Sequence, residues 1–307
     1  MHPELSHLSI DHVKNVAYQG VPGAYSHLTC STLFPDAAAI SCQNFDEAFK
    51  MVASRNADFA AIPIENSLGG RVSDVHHLLP ESGLYIVGEY FLPINHCLWG
   101  IKGSRFEDIK EVRSHEQALS QCRVNLNGLG VNAVPTSDTA GAARDLASSK
   151  LSHVGVLSSA IAGEIYGLEL LRARMEDRLD NVTRFIILSH RPQEPVYDVS
   201  HEFLTSLYLD TRSVPAALYK CLGSFATRQI NIIRLESYVS LSDQSRSSFY
   251  IEIEGHPAQS MIAQALEELQ YFSNRVKPLG TYPTSPYRHH LSGGHFQNTA
   301  TQDGKTG

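Results

Sequence analysis

Between Val16 and about Ser189, short apolar runs alternate with stretches whose apolar residues recur at helical spacing. The runs "NVAYQG", "AAISC", "FAAIPI", "LYIVGEYFLPI", "VGVLSS" and "RFIIL" predict strands, whereas "FDEAFKMVASRN", "SHEQALSQCRVNL", "DTAGAARDLAS" and "SAIAGEIYGLELLRAR" predict helices. Strand and helix in alternation predict an α/β sheet with crossover connections. Ligands of such sheets sit at the carboxyl ends of the strands, where helix N-termini point. Ser114, Ser137 or Asp138, and Ser159 are the predicted N-caps, with Asp46 and Glu47 in the first turn of their helix.

The rhythm changes after the polar, Pro-containing stretch 191–202, which reads as a linker. "FLTSLYLD" alternates, with Phe203, Thr205, Leu207 and Leu209 on one face. "SVPAALYKCLGSFATRQ" carries a helical stripe of Val214, Leu218, Cys221, Leu222 and Phe225 behind a predicted Ser213 cap. Two strands follow, "NIIRLESYVS" and "SSFYIEIEG", then the helix "PAQSMIAQALEELQYFSNRV" and a closing strand, "VKPLGTYP". This β-α-β-β-α-β order over 203–281 is the ferredoxin-like pattern. Residues 282–307 have no apolar period and predict a disordered tail, with His289, His290 and His295 solvated rather than metal-bound.

Composition narrows the functional classes. The 307 residues are 42% hydrophobic and 19% charged, which suits a globular chain of about two domains. A net charge of -7 without a basic run argues against nucleic-acid binding. The cysteines (Cys30, Cys42, Cys97, Cys122, Cys221) are widely spaced and form no C-x-x-C, so neither a disulfide framework nor a zinc site is expected. With no apolar leader or membrane-length stretch, a cytoplasmic protein is expected.

The polar motifs fall at strand ends. "AIPIENSLGG" runs from an apolar strand into Glu65, Asn66 and Ser67, then two glycines. A carboxylate beside an apolar run is costly unless hydrogen-bonded, so the motif reads equally well as a helix cap and as a site. "YQGVPGAYS" is a Gly-rich turn opening a helix, without a dinucleotide or P-loop fingerprint. "SHEQALSQC", with Ser114, His115 and Gln121, and "TSDTAGAA" are, taken singly, ordinary helix starts. His96 reads as a satisfied core histidine. "DNVTRFIILS" sets Asn181, Thr183 and Arg184 at the mouth of a buried strand, where a guanidinium needs a carboxylate from the protein or a substrate.

Taken together and in order, "VAYQGVPGAYS", "PIENSLGG", "SHEQALSQC", "SDTAGAA", "NVTRFIIL" and "NIIRLESYVS" closely resemble prephenate dehydratase, from Val16 to Pro283. The resemblance implies a two-lobed α/β catalytic domain of the type 2 periplasmic-binding kind over 13–190, its second lobe about 102–178. A ferredoxin-like ACT regulatory domain over 203–281 would follow it. It implies prephenate as substrate, no cofactor or metal, and a homodimer or homotetramer. With no mutase-like region before the first strand, a monofunctional enzyme is expected. By resemblance Thr183 is catalytic; Glu65, Asn66, Ser67, Ser114, Gln121 and Arg184 bind and position substrate, Arg184 pairing with a substrate carboxylate or with Glu65.

Ala216, Ala217, Leu218, Glu236 and Ser237 match the family's phenylalanine site between ACT domains. Two departures occur there: Ala216 stands where the family has glycine, and Tyr238-Val239 follow Glu236-Ser237 in place of Arg-Pro. Arogenate dehydratase shares these motifs, and a non-catalytic amino-acid sensor is the alternative from another class.

Overall fold

The computed structural model describes residues 2–8, 12–239 and 247–291. Along the chain β1 (Asn15–Gln19), α1 (Tyr25–Leu33), β2 (Ala38–Cys42), α2 (Phe45–Ala53), β3 (Phe59–Asn66), β4 (Gly70–Arg71), α3 (Ser73–Leu78) and β5 (Tyr85–Pro93) build a first lobe. The second lobe holds β6 (Cys97–Gly100), β7 (Glu111–His115), α4 (Glu116–Gln121), α5 (Arg123–Leu129), β8 (Asn132–Thr136), α6 (Thr139–Ala147), β9 (Val154–Ser158), α7 (Ala160–Ile165) and β10 (Glu169–Arg172). The chain then returns to the first lobe as β11 (Val182–Ser189).

The first sheet has the order β2-β1-β3-β11-β5, in which β11 is antiparallel to both neighbours, and the second the order β10-β6-β9-β7-β8. A strand that closes the first sheet only after the second lobe is complete gives the two-lobed, type 2 periplasmic-binding arrangement. The outgoing and returning segments are bonded to each other, Ile94 N–H to Asn181 C=O at 2.8 Å and Met175 N–H to His96 C=O at 2.8 Å. The lobes also touch at the "GVPG" turn. Ser159 Oγ and the Tyr166 hydroxyl donate to the carbonyls of Gly23 and Pro22. Gly23 has φ +92°, and a Cβ there would lie 2.8 Å from Ala162 Cα, so the second glycine of that turn is demanded by lobe packing.

β12 (Phe203–Thr211), α8 (Ala217–Ala226), β13 (Ile232–Val239), β14 (Ser247–Glu254), α9 (Ser260–Phe272) and β15 (Ser273–Pro283) follow, and α10 (Arg288–Leu291) ends the described chain. Their antiparallel order β13-β14-β12-β15 is the ferredoxin-like one. Leu207, Leu209, Phe249, Ile251 and Ile253 pack on α8 and α9 through Cys221, Phe225, Ile262 and Leu269. The opposite face, with Leu204, Tyr208, Tyr250 and Tyr282, packs against Ile62, Ile64, Val75 and Ile186 of the first lobe. The sheet is therefore buried on both sides.

Local readings diverge at identifiable places. The single helix predicted over "SAIAGEIYGLELLRAR" stops at Tyr166 and becomes β10, because Gly167 takes φ +64° and ends the helix left-handed. Ser114 lies in β7 and the cap of α4 is the His115 ring; Asp138 and Ser159 do cap α6 and α7. Ala216, not Ser213, precedes α8. Residues 282–291, expected as the start of a disordered tail, are ordered: Tyr282 is fully buried, and Arg288 pairs with Glu89. Burial of a carboxylate requires such partners, a demand that no local apolar period signals. His295 lies outside the described residues.

Candidate active site

A cavity of about 870 Å³ opens between the lobes. It is floored by the ends of β3 and β11 through Pro63, Asn66, Thr183 and Phe185, and ringed by the starts of α1, α4 and α6. The ladder between β3 and β11 is irregular here. Glu65 pairs with Arg184 and Pro63 with Phe185, so Ile64 is an extra residue on β3. Such a bulge re-aims side chains on its own strand: Asn66 is turned to the cavity beside Thr183, and Glu65 to the opposite face, where Arg184 points by the ordinary alternation of β11.

One polar chain runs through the floor, and its direction follows from the backbone. Asn66 Oδ1 accepts from the Leu68 and Gly69 N–H groups at 3.0 and 2.7 Å, which fixes that amide's orientation. Its Nδ2 therefore donates to Thr183 Oγ1 at 2.9 Å and to Asn181 Oδ1 at 2.8 Å. Asn181 Nδ2 in turn donates to Gln121 Oε1 at 2.9 Å. His96 Nε2 lies 2.9 Å from that same oxygen and must carry the proton, leaving Nδ1 as an acceptor 2.7 Å from the Tyr25 hydroxyl, whose one proton it shares with the Asn95 carbonyl at 2.9 Å. Burial lowers the His96 pKa, consistent with this neutral tautomer. Thr183 Oγ1 thus accepts within the protein, and among the described residues its own proton meets no protein acceptor.

Among the described residues lining the cavity there is no Lys or Arg, and Glu47 and Asp138 are present. Both carboxylates serve as caps, Glu47 to Gln43 N–H at 2.6 Å and Asp138 to Gly141 N–H at 2.5 Å. Anion-favouring groups are instead dipolar. The start of α1 has no side-chain cap, and at α4 the His115 Nδ1 accepts from Gln117 N–H. Among the described residues Gln121 Nε2 meets no protein acceptor. Burial raises the thiol of Cys42, which lines the cavity, to about 11, so it is no thiolate nucleophile at neutral pH. No group of three or more His, Cys, Asp or Glu is placed to hold a metal ion among the described residues.

The structure brings Asn66, Gln121 and Thr183 together and sets the other expected site residues elsewhere. Ser67 is spent on the returning segment, its Oγ donating to Asp180 C=O and accepting from Val182 N–H. Ser114 is buried, with its Oγ on Leu157 C=O at 2.7 Å. Arg184 is 1% exposed and binds Glu252, Glu89, Glu65 and Tyr282 on the face away from the cavity. Of its two expected partners it has Glu65, at 3.4 Å. Asn181, Tyr25 and His96 were missing from the expected site. Asn181 belongs to the motif that pointed to Thr183, whereas His96 satisfies its hydrogen bonds as expected and also reaches the cavity.

In the C-terminal unit, Ala216, Ala217 and Leu218 at the start of α8 line a second cavity, about 560 Å³, with Phe249 of β14. Glu236 and Ser237 are not among its lining residues. Glu236 pairs with Arg234 and Arg71, and Ser237 is exposed on β13, an edge of the sheet.

The family model for prephenate dehydratase matches residues 16–193. A bifunctional N-acyl-homoserine lactone acylase/prephenate dehydratase of Komagataeibacter europaeus is 42% identical over 89% of this chain and 97% of its own length. The chloroplastic arogenate dehydratase/prephenate dehydratase 1 of Arabidopsis thaliana is 39% identical, over 87% of this chain and 71% of the relative. Among solved structures, prephenate dehydratase from Arthrobacter aurescens in complex with L-Phe superimposes with a TM-score of 0.80 at 28% identity, covering 89% and 94% of the two chains.

Proposed function

The chain belongs to the prephenate dehydratase family of hydro-lyases, and from that premise we propose that it converts prephenate to phenylpyruvate, carbon dioxide and water in the cleft around Thr183. The observation that carries this is the placement of the Thr183 hydroxyl on the cavity floor beside Asn66. Its oxygen receives the Asn66 amide, so its proton is available to a leaving oxygen. In the reaction the ring carboxylate departs as CO2, its bonding electrons enter the ring, and the 4-hydroxyl leaves with a proton as water. Aromatisation supplies the driving force, and the protein supplies orientation and a hydrogen bond that strengthens as charge grows on the leaving oxygen.

Gln121 and the uncapped start of α1 are suited to the substrate's carboxylates, and Phe185 to its ring. With this reading go a cytoplasmic homodimer or homotetramer and feedback by phenylalanine at the β12–β15 unit, taken as an ACT domain. The cavity beside Ala216 supports that assignment. Thr183→Ala is expected to lower kcat by about 10²–10³-fold with KM changed little. Phenylpyruvate formation from prephenate measures this, and near-wild-type turnover in the variant would remove Thr183 from the chemistry.

A second reading, arogenate dehydration, is favoured by one observation. A cavity lined by Glu47 and Asp138 without Lys or Arg suits a substrate carrying an ammonium group where prephenate has a carbonyl. Side-by-side kcat/KM for the two substrates separates the readings.

A further inference from the structure

The strands that carry Thr183 and Asn66 are gripped from behind by the C-terminal sheet. Arg184 follows Thr183 on β11, and each of its five N–H groups has an acceptor. Nε donates to Glu89 at 2.8 Å, and Nη1 and Nη2 to Glu252 at 2.8 and 2.7 Å. Nη1 also reaches Glu65 at 3.4 Å, and Nη2 the Tyr282 hydroxyl at 3.1 Å. Glu252 lies on β14, is fully buried and also receives the Tyr250 hydroxyl. Burial works against its charge, yet Arg184 outweighs this and lowers its pKa to about 2. Glu65, which precedes Asn66 on β3, is held by Arg234 of β13. Arg234 also contacts Glu236 at 3.2 Å, and Glu236 contacts Arg71 of β4 at 3.1 Å.

The grip falls where the β3–β11 ladder carries its bulge, between the Arg184 and Phe185 pairings. Bulges disrupt the ladder, so backbone pairing alone holds this step less firmly. Side chains on the rear face then decide where the next residue's front-facing group points, because neighbouring residues share a backbone and alternate in direction.

We propose that Glu252 and Arg234 are positioning residues for the reaction: they hold Arg184 and Glu65 from the rear, and thereby set the Asn66–Thr183 hydrogen bond from the C-terminal sheet. The inference rests on the dehydratase reading for its kinetic consequence and on geometry alone for its mechanical one.

The test uses the full chain with Arg234→Met and Arg234→Lys. Glu252→Gln is a third variant, at risk of not folding because it leaves Arg184 short of an anion, whereas Arg234 is partly exposed. Two readouts are taken, steady-state kinetics on prephenate and amide hydrogen exchange of peptides covering 63–69 and 180–186. Arg234→Met is expected to lower kcat about tenfold with KM within about twofold, since a small misplacement of a reacting group is costly. Arg234→Lys should recover most of that loss, and exchange in the two peptides should rise in Arg234→Met. A folded Arg234→Met with wild-type kcat overturns the proposal, and so does a loss that Lys does not rescue or that appears equally in KM. If wild-type protein fails to turn over prephenate, the dehydratase reading falls separately. Exchange then decides the mechanical claim: faster exchange confined to those peptides upholds it, and unchanged exchange overturns it.

Discussion

His76 is a buried imidazole wedged from α3 between Tyr238 and Tyr250, and among the described residues neither of its ring nitrogens nor the Tyr238 hydroxyl beside it has a hydrogen-bond partner. Burial lowers its pKa from 6.5 to about 4; Glu236 and Glu252 act in the opposite direction, and Arg71 and Arg184 add to the lowering. The unfolded chain therefore binds a proton that the folded one refuses between those values. Stability is fully present above about pH 6.5 and is lost as the pH falls toward 4. At pH 5 the difference amounts to about 2 kcal/mol. His76→Leu, which removes both the refused proton and the unsatisfied nitrogens, is expected to raise the urea midpoint at pH 5 and to gain less at pH 7.5. Equal gains at the two pH values would show that the ring does not titrate on unfolding. At Thr183 one lone pair of the hydroxyl oxygen accepts from Asn66, and the hydroxyl keeps its proton to donate.

At the scale of elements, α8 begins under strain. Ala216 enters it with φ +59° and ψ +25°, a left-handed conformation that opposes a Cβ and that glycine adopts without cost. This gives a physical reason for the glycine that the family carries there. Ala216→Gly is expected to stabilise the chain by up to about 1 kcal/mol, read as a higher thermal midpoint, and to open the rim of the neighbouring cavity. A lower midpoint would mean that the turn has relaxed in solution. β12 teaches a different lesson. Its alternation read as a one-sided strand, and Thr205, Leu207 and Leu209 do face the helices, but Leu204, Ser206 and Tyr208 are buried too, against the first lobe. Gly280 of β15 belongs to the same contact, since a Cβ there would lie 1.9 Å from the Ile86 carbonyl.

For the whole molecule, the C-terminal unit is part of the first lobe's core. Leu204, Tyr208, Tyr250, Leu279 and Tyr282 share one apolar cluster with Ile62, Ile64, Val75 and Ile186, and Glu252 supplies the bidentate partner of Arg184. A chain ending at residue 200 would expose that face and leave Arg184 with Glu89 and Glu65 while removing Arg288 from Glu89. Breaking a buried ion cluster in this way costs about 3–5 kcal/mol before the lost apolar burial is counted. Such a chain is expected to be poorly soluble and to bind a hydrophobic dye, with the loss of a cooperative unfolding transition as the measurement. A soluble, cooperatively folding 1–200 fragment would show that the first lobe closes its own face.

Sequence alone determined the main strands of the first lobe, β9 and the helices of the second, the βαββαβ unit and the family, because apolar periodicity, Gly turns and contiguous motifs such as "NVTRFIIL" are local along the chain; the short strands β6, β7 and β8 went unread and β10 was read as helix. It also named Asn66, Gln121 and Thr183, which the fold brings to one cavity. What it could not supply was the direction of side chains at strand ends. One bulge at Ile64 turned Glu65 from the cleft to the rear and Asn66 into the cleft, while Arg184 faces the rear by plain alternation with Thr183 and Phe185. The fate of residues 282–291 was equally hidden, for their order comes from Glu89 and Arg184, far away in sequence and reached only through tertiary packing. Charges are placed by whichever counter-charge the fold brings within about 3 Å, and that pairing has no period to read.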